Sequence, residues 1–167
     1  RSDNWMDELL TWVPEEDVGP KIGRFRKVDS NSKFEDRLAE IDLWYKNGGI
    51  LLLGFEMFRN ILNMGPNENK RSKMDQATFE VVEEQLLKGP NIIIADEAHK
   101  LKNMSSALTK AATRFKSNSR IALTGSPLSN NVEEYHSMIE WIAPNYLGPI
   151  VEFRAKFVEP IDRKSVV

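Results

Sequence analysis

Apolar residues follow two spacings along this chain, and the two spacings alternate. Trp5, Leu9 and Trp12 lie three or four residues apart, which is the period of an amphipathic helix. The same period recurs further along the chain, and proline, glycine or polar turns interrupt it. We predict helices over residues 3–13, 34–45, 74–87, 105–115 and 132–142, with an additional short helix ending at Arg59.

Short and almost wholly apolar runs lie between these helices. We predict strands over residues 21–28, 50–53, 91–95 and 121–123, and a polar surface loop at about 64–73. Continuous apolar runs are typical of strands that are covered on both faces in a parallel sheet. The alternation of strand and helix therefore predicts an α/β fold, with a parallel sheet, helices on both faces and a ligand crevice at the carboxyl ends of the strands.

Composition narrows the class of protein. The 167 residues amount to one domain, and 41% hydrophobic with 29% charged residues indicates a globular chain. The longest apolar stretch, Ile50 to Phe55, is far shorter than the roughly 20 residues of a membrane span, so we expect no membrane partner. The polar first residues predict no secretory signal. The absence of Cys excludes disulfides and thiolate metal sites.

Charge is unevenly distributed, although the net charge is only -2. Between Glu97 and Glu133 there is no acidic residue, and six cations lie there: Lys100, Lys102, Lys110, Arg114, Lys116 and Arg120. Such segregation focuses positive potential on one region, as contact with a phosphate backbone requires. A solvated helix face would produce the same pattern, so charge alone leaves both interpretations open.

Two adjacent carboxylates, Asp96 and Glu97, lie where an apolar strand runs out. In a nucleotide hydrolase the first carboxylate of such a pair holds Mg²⁺, and the second orients and deprotonates the attacking water. We therefore assign Asp96 to the metal and Glu97 to the water, both as catalytic and cofactor-binding candidates. The alternative is that the pair merely caps the following turn.

Two segments carry a resemblance to a known family. The stretch Asp96–Asn103 reads DEAHKLKN and the stretch Leu123–Tyr135 reads LTGSPLSNNVEEY. They resemble two successive motifs of Swi/Snf-family ATPases in order and spacing, whereas RNA helicases continue to a Ser-Ala-Thr motif. Nearly the whole chain is similar to the ATRX-like branch of that family. The sequence departs from the branch at Ala98, where Gly is usual, and at Ser129, where Gln is usual.

This resemblance implies part of the first RecA-like lobe of an ATP-dependent double-stranded DNA translocase, a chromatin remodeller that uses ATP and Mg²⁺. The implied partners are double-stranded DNA, nucleosome or chromatin proteins and the second RecA-like lobe of the same protein, in the nucleus. The resemblance also implies coupling between nucleotide state and the DNA path. That role falls on Thr124, Gly125 and Ser126, with His99 as their hydrogen-bond partner.

The resemblance and the charge pattern together give the candidate DNA contacts. These are Lys100, Lys102, Asn103, Lys110 and Arg114. Lys100 and Lys102 would contact backbone phosphate or anchor the motif, while the plain alternative for Lys110 and Arg114 is a solvated charge.

A phosphate-binding loop needs glycine followed by Lys, and none of the nine glycines is followed by Lys. We therefore expect the phosphate-loop strand to lie outside this chain, and the chain alone to be inactive. Without that strand, the sheet should expose an edge and apolar surface, so we also expect self-association. The alternative function is a catalytically silent DNA- or protein-binding scaffold derived from such a lobe.

The remaining chemistry-bearing residues are predicted to be structural. Trp5, Trp12, Trp44 and Trp141 occur at helical spacings with other apolar residues, so we predict core positions rather than a base-stacking platform. His136 lies on an amphipathic pattern without a neighbouring ligand residue, so we predict a satisfied core histidine rather than a metal ligand.

Overall fold

The computed structural model describes residues 2–65, 74–125 and 132–160. The chain divides into two compact units, Arg1–Gly89 and Pro90–Val167. Across the described ranges, every helix is too short or too polar to cross a membrane.

In its described residues, the first unit contains four α-helices and one pair of strands. Its elements are α1 (Ser2–Trp12), a 3₁₀ turn (Glu15–Asp17), β1 (Phe25–Lys27), α2 (Phe34–Asn47), β2 (Ile50–Leu52), α3 (Phe55–Leu62) and α4 (Gln76–Lys88). Strands β1 and β2 are parallel and pair Phe25 with Ile50. The core of the unit includes the buried side chains of Ile41, Trp44 and Ile61.

The turn between α2 and β2 depends on glycine. Gly49 has φ of 99°, and a Cβ there would lie 2.2 Å from the carbonyl oxygen of Arg24. The carbonyl of Gly49 accepts a hydrogen bond of 3.1 Å from the indole of the buried Trp44. A side chain at this position would therefore separate β1 from β2 as well as strain the backbone.

The second unit contains the other pair of strands. Its elements are β3 (Ile92–Asp96), a 3₁₀ helix (Ala98–Leu101), α5 (Ala107–Thr113), β4 (Ser119–Leu123), α6 (Val132–Ile142), α7 (Ile150–Phe153) and a π-helical turn (Arg154–Val158). Strands β3 and β4 are parallel, with Ile94 opposite Ile121 and Asp96 opposite Leu123. The predicted alternation of parallel strands and helices is thus confirmed, and the described strands form two separate pairs.

One face of the β3–β4 pair is exposed, which corrects the prediction that these strands are covered on both faces. Ile92, Ile94, Ile121 and Leu123 lie on that face, and between 40% and 60% of each is exposed. The opposite face carries Ala95, which is buried. The apolar sequence of β3 predicted that both faces of the strand pair are covered, but the described part of the chain covers only the face that carries Ala95.

Trp12 and Arg120 also differ from their predicted roles. Trp12 is 78% exposed, and its indole donates a hydrogen bond of 2.7 Å to Glu8, so it is not a core residue. Arg120 was grouped with the cations of the basic segment, but its side chain bonds to the main chain instead of facing solvent as a free charge. Its guanidinium donates to the carbonyls of Ser117, Phe115 and Trp141 at 3.0, 2.7 and 2.8 Å.

Trp141 and His136 occupy the core of the second unit. Trp141 is 1% exposed, and its indole donates a hydrogen bond of 3.0 Å to the carbonyl of Ala112. His136 is buried, with Nε2 2.9 Å from the carbonyl oxygen of Gly148 and its ring edge-on to Phe153. The prediction that His136 is a satisfied core histidine is confirmed.

Candidate functional site

The candidate site forms where β3 and β4 end. Because the two strands are parallel and Asp96 pairs with Leu123, the residues that follow each strand emerge at the same edge. Asp96 and Glu97 leave β3 there, and Thr124 and Gly125 leave β4. Ser126 lies outside the described residues. The structure therefore brings the described parts of the two motifs together.

The backbone turns sharply at Glu97. This residue has φ 56° and ψ 46°, the left-handed conformation that non-glycine residues rarely adopt. The amide of Glu97 donates a hydrogen bond of 2.9 Å to the Asp96 carboxylate. Ala98 and Leu101 in the 3₁₀ helix that follows are completely or almost completely buried. A left-handed backbone at a non-glycine residue costs about 1–3 kcal/mol of free energy. The buried residues after Glu97 and the hydrogen bond to Asp96 before it hold the backbone in this conformation.

His99 joins the two motifs. Its Nδ1 lies 3.1 Å from Oε2 of Glu97 and 3.3 Å from the hydroxyl oxygen of Thr124. The imidazole side chain is 34% exposed and that of Glu97 is 23% exposed, so both are accessible to a ligand at the strand ends. The predicted contact between His99 and Thr124 is present, and His99 contacts the second carboxylate as well.

The oxygen donors at the strand ends are of the kind that a magnesium ion prefers. Among the residues that the structure describes, no group of three or more His, Cys, Asp or Glu side chains converges on one point. Mg²⁺ commonly takes one or two carboxylates and completes its shell with water and phosphate oxygens. Asp96 is half-buried at the end of β3, and its carboxylate would offer a hard oxygen ligand of that kind.

The predicted DNA contacts lie in different surroundings. Lys100 and Lys110 are exposed, and Arg114 is an exposed residue at the end of α5, four residues after Lys110 and so on the same side. Lys102 forms an ion pair of 3.0 Å with Glu134 on α6. This pair agrees with the alternative that Lys102 anchors the motif.

Asn103 has a local role that the sequence did not reveal. Its side-chain oxygen accepts hydrogen bonds from the amide and the hydroxyl of Ser105 at 2.9 and 2.7 Å. These bonds form a tight turn that leads to α5. The pairing of Lys102 with Glu134 has no signal in the charge pattern because it depends on how the chain folds back. The turn at Asn103 is local and uncharged, so a charge pattern does not record it either.

Comparison with known proteins identifies the family. Residues 2–166 match the SNF2-related domain. The transcriptional regulator ATRX of Mus musculus is 37% identical over 158 residues, which cover 95% of this chain and 6% of that protein. Protein CHROMATIN REMODELING 20 of Arabidopsis thaliana is 37% identical over 159 residues, 95% of this chain and 10% of that protein.

A solved structure gives the same result. The chain is similar to the Sulfolobus solfataricus SWI2/SNF2 ATPase core in complex with dsDNA, with a TM-score of 0.57, 26% identity and coverage of 96% of this chain and 27% of that one. The chain thus spans a small part of the proteins it matches. The resemblance to the ATRX-like branch and the α/β fold are both confirmed. The chain belongs to the SNF2-related domain family.

Proposed function

We propose that this chain is part of the first RecA-like lobe of an ATP-dependent double-stranded DNA translocase that remodels chromatin in the nucleus. The observation that carries the proposal is the shared edge of β3 and β4, where Asp96 and Glu97 lie beside Thr124 and His99 links the two. Membership of the SNF2-related domain family supports the reaction class, and the similar ATPase core that binds dsDNA supports the substrate.

In this proposal the two carboxylates have separate roles. Asp96 would hold Mg²⁺, which when bound neutralises charge on the ATP phosphates. Glu97 would orient the attacking water and accept its proton on the carboxylate. The left-handed backbone at Glu97 supports this assignment, because strained residues concentrate at functional sites.

ATP binding requires a phosphate loop in addition to these residues. No glycine of this chain is followed by Lys, so we propose that another segment of the same polypeptide supplies the loop. The isolated chain should then bind Mg-ATP weakly. Isothermal titration is the test, and tight binding by the chain alone would show that the division of roles is wrong.

The substitution Glu97→Gln tests the reaction in the full-length polypeptide. It keeps the size of the side chain and removes the proton acceptor, so DNA-stimulated hydrolysis should fall by at least about a hundredfold while nucleotide binding persists. Glu152→Gln is a matched control, since Glu152 is an exposed carboxylate paired with Lys156 on the α7 segment. Equal activity of the Glu97→Gln variant and the unchanged protein would refute the catalytic assignment.

Lys100, Lys110 and Arg114 are the proposed direct DNA contacts. Lys102 and Asn103 belong to the same proposed surface, where their bonds to Glu134 and Ser105 would hold the segment in place. Each cation that contacts a phosphate adds about one to the salt dependence of binding, so Lys110→Gln should reduce the slope of log affinity against log salt by about one. Lys88→Gln is the control, because Lys88 pairs with Glu84 in the first unit. Equal slopes for the two variants would remove Lys110 from the contact surface.

The missing glycine-lysine pair supports a second candidate, a catalytically silent scaffold that binds DNA or protein. The same Glu97→Gln experiment separates the two. A scaffold has no ATP hydrolysis to lose, whereas the translocase loses it.

A further inference from the structure

A groove lies between α2 and α4 on the surface of the first unit. Its volume is about 440 Å³, and its apolar lining consists of Leu38, Ala39, Ala77, Val81 and Val82. Val82 is buried and forms the floor, whereas Ala39 and Ala77 are exposed. Val81 is 55% exposed. The described residues therefore leave this apolar groove uncovered, and the small side chains along it allow another element to approach both helices closely.

One end of the α2–α4 groove carries a charge. Gln85 is buried there, and its amide donates a hydrogen bond of 2.8 Å to the Asp42 carboxylate. Lys46 donates to the other carboxylate oxygen at 2.7 Å. The bond from Lys46, together with that from Gln85, lowers the pKa of the Asp42 carboxyl, so this end is anionic at neutral pH. The Lys46 side chain is 66% exposed, which leaves room for a second cation beside Asp42.

The two helices that form the groove are acidic. Their carboxylates are Glu35, Asp36, Glu40, Asp42, Glu80, Glu83 and Glu84, against the three cations Arg37, Lys46 and Lys88. Glu35 lies three residues before Leu38, and residues at this spacing share a helix face. Glu84 lies three residues after Val81 in the same way. Acidic side chains at the rim attract a basic partner and repel the phosphates of a nucleic acid.

We propose that the α2–α4 groove is a docking site for a basic amphipathic helix of a partner protein. Helices α2 and α4 bond their main chains internally, so they offer no edge to an incoming strand, and the partner must satisfy its own main chain as a helix does. Its apolar side chains at i, i+3, i+4 and i+7 would fill the groove. Its Lys or Arg residues would pair with Asp42, Glu35 and Glu84.

This inference goes beyond the proposed function, because the groove lies in the first unit and its occupation needs neither ATP nor the acidic pair at the end of β3. Binding is therefore measured without nucleotide. A failure of ATP hydrolysis in the full-length polypeptide would leave the inference unchanged, and a failure of docking would leave the proposed function unchanged.

A synthetic helical peptide is the probe, with Leu at i, i+3, i+4 and i+7 and Lys at the positions between. Fluorescence anisotropy of the labelled peptide, titrated with the chain, should show saturable binding. A shuffled peptide of the same composition should bind at least about tenfold more weakly, because its leucines no longer share one face. A peptide with Glu in place of Lys should not bind. Equal affinity for the shuffled peptide would reduce the effect to general charge attraction and would overturn the proposal.

Two variants locate the binding surface. Val81→Ser removes apolar area from the groove and should weaken peptide binding by roughly threefold to tenfold. Leu10→Ser is the matched control, since Leu10 is 61% exposed on α1 of the same unit. Glu35→Lys reverses a charge at the rim and should weaken binding roughly fivefold, whereas Glu16→Lys, at an exposed acid away from both helices, should not. Circular dichroism verifies that each variant is folded, and equal binding by variants and controls would place the peptide elsewhere.

The other possible occupants give different results. If a second copy of the chain fills the groove, Val81→Ser should weaken self-association in sedimentation experiments, and that result would overturn the assignment to a partner protein. If a segment of the full-length polypeptide fills it, the full-length polypeptide should fail to bind the peptide that the chain binds, with the same consequence. Peptide binding by both, together with self-association that ignores Val81→Ser, is the outcome that we expect.

Discussion

Arg120 is the cation whose role the structure changes most, and its replacement gives a decisive test. The guanidinium donates three hydrogen bonds, at 2.7, 2.8 and 3.0 Å, to carbonyls of Phe115, Trp141 and Ser117. The central guanidinium carbon, Cζ, also lies 5.6 Å from the centre of the Trp141 ring. These contacts tie the turn before β4 to the end of α6 within the second unit.

The magnitude follows from the geometry. A hydrogen bond to a charged donor contributes about 1.5–3 kcal/mol, and water replaces part of each bond because Arg120 is only partly buried. Burial lowers the pKa of the Arg120 guanidinium from its ordinary value, yet arginine remains charged. We expect Arg120→Met to lower the free energy of local unfolding by about 2–4 kcal/mol. Arg120→Lys should lose about half of that, because one ammonium group cannot span three carbonyls.

Hydrogen exchange measured by mass spectrometry is the suitable assay, since a chain of two compact units need not unfold in one step. Peptides from β4 and α6 should exchange faster in Arg120→Met, and peptides from the first unit should not. Arg114→Met is the control on an exposed arginine of the same unit. If both variants destabilise α6 by less than about 0.5 kcal/mol, Arg120 is a surface cation and our structural assignment is wrong.

Three further predictions concern other parts of the chain. Asp75 caps α4, and the hydrogen bond from the Thr78 side chain, with a second from its amide, lowers the pKa of the Asp75 carboxyl. The stabilisation by Asp75 is therefore present above the ordinary carboxyl pKa and is lost as the pH falls through the pKa of the folded state. Hydrogen exchange in the first turn of α4 should accelerate in acid, and Asp75→Asn should weaken this pH dependence. Trp12→Ala should change the free energy of unfolding by less than about 0.5 kcal/mol, because the side chain is exposed. A larger loss of stability in thermal unfolding would contradict this prediction. Ile121→Thr on the exposed face of β3–β4 should weaken self-association in sedimentation experiments; association equal to that of the unchanged chain would place the contact elsewhere.

The sequence predicted the helices better than it predicted their surroundings. Helix α2 ends beside the two glycines that were expected to stop it, and α6 covers the predicted residues 132–142. Both results come from local rules of apolar period and turn residues. The exposed face that contains Ile94 and Ile121 could not be predicted in this way, because an apolar run does not show which element lies against it.

The charge pattern of the sequence did not predict the surroundings of individual cations. It placed Lys102 and Arg120 in one basic region, but Lys102 pairs with Glu134 and Arg120 bonds to three carbonyls. Glu134 is distant from Lys102 in sequence, and the partners of Arg120 are main-chain carbonyls. A list of charges shows neither which charges pair nor which carbonyls accept. The pairing of the two motifs was predictable because the carboxyl ends of parallel strands share an edge.

The backbone around the acidic pair fits an alanine at position 98, where the family resemblance led us to expect glycine. A glycine requirement would show as a positive φ or as a contact that a Cβ could not tolerate. Outside glycine, the positive φ angles in the described residues are those of Glu97 and Asn145, so Ala98 lies in an ordinary conformation. Its side chain is fully buried and helps to fix the 3₁₀ helix that follows. The strain therefore resides one residue earlier, at the carboxylate itself, and the methyl group of Ala98 stabilises the turn that presents Glu97 to His99.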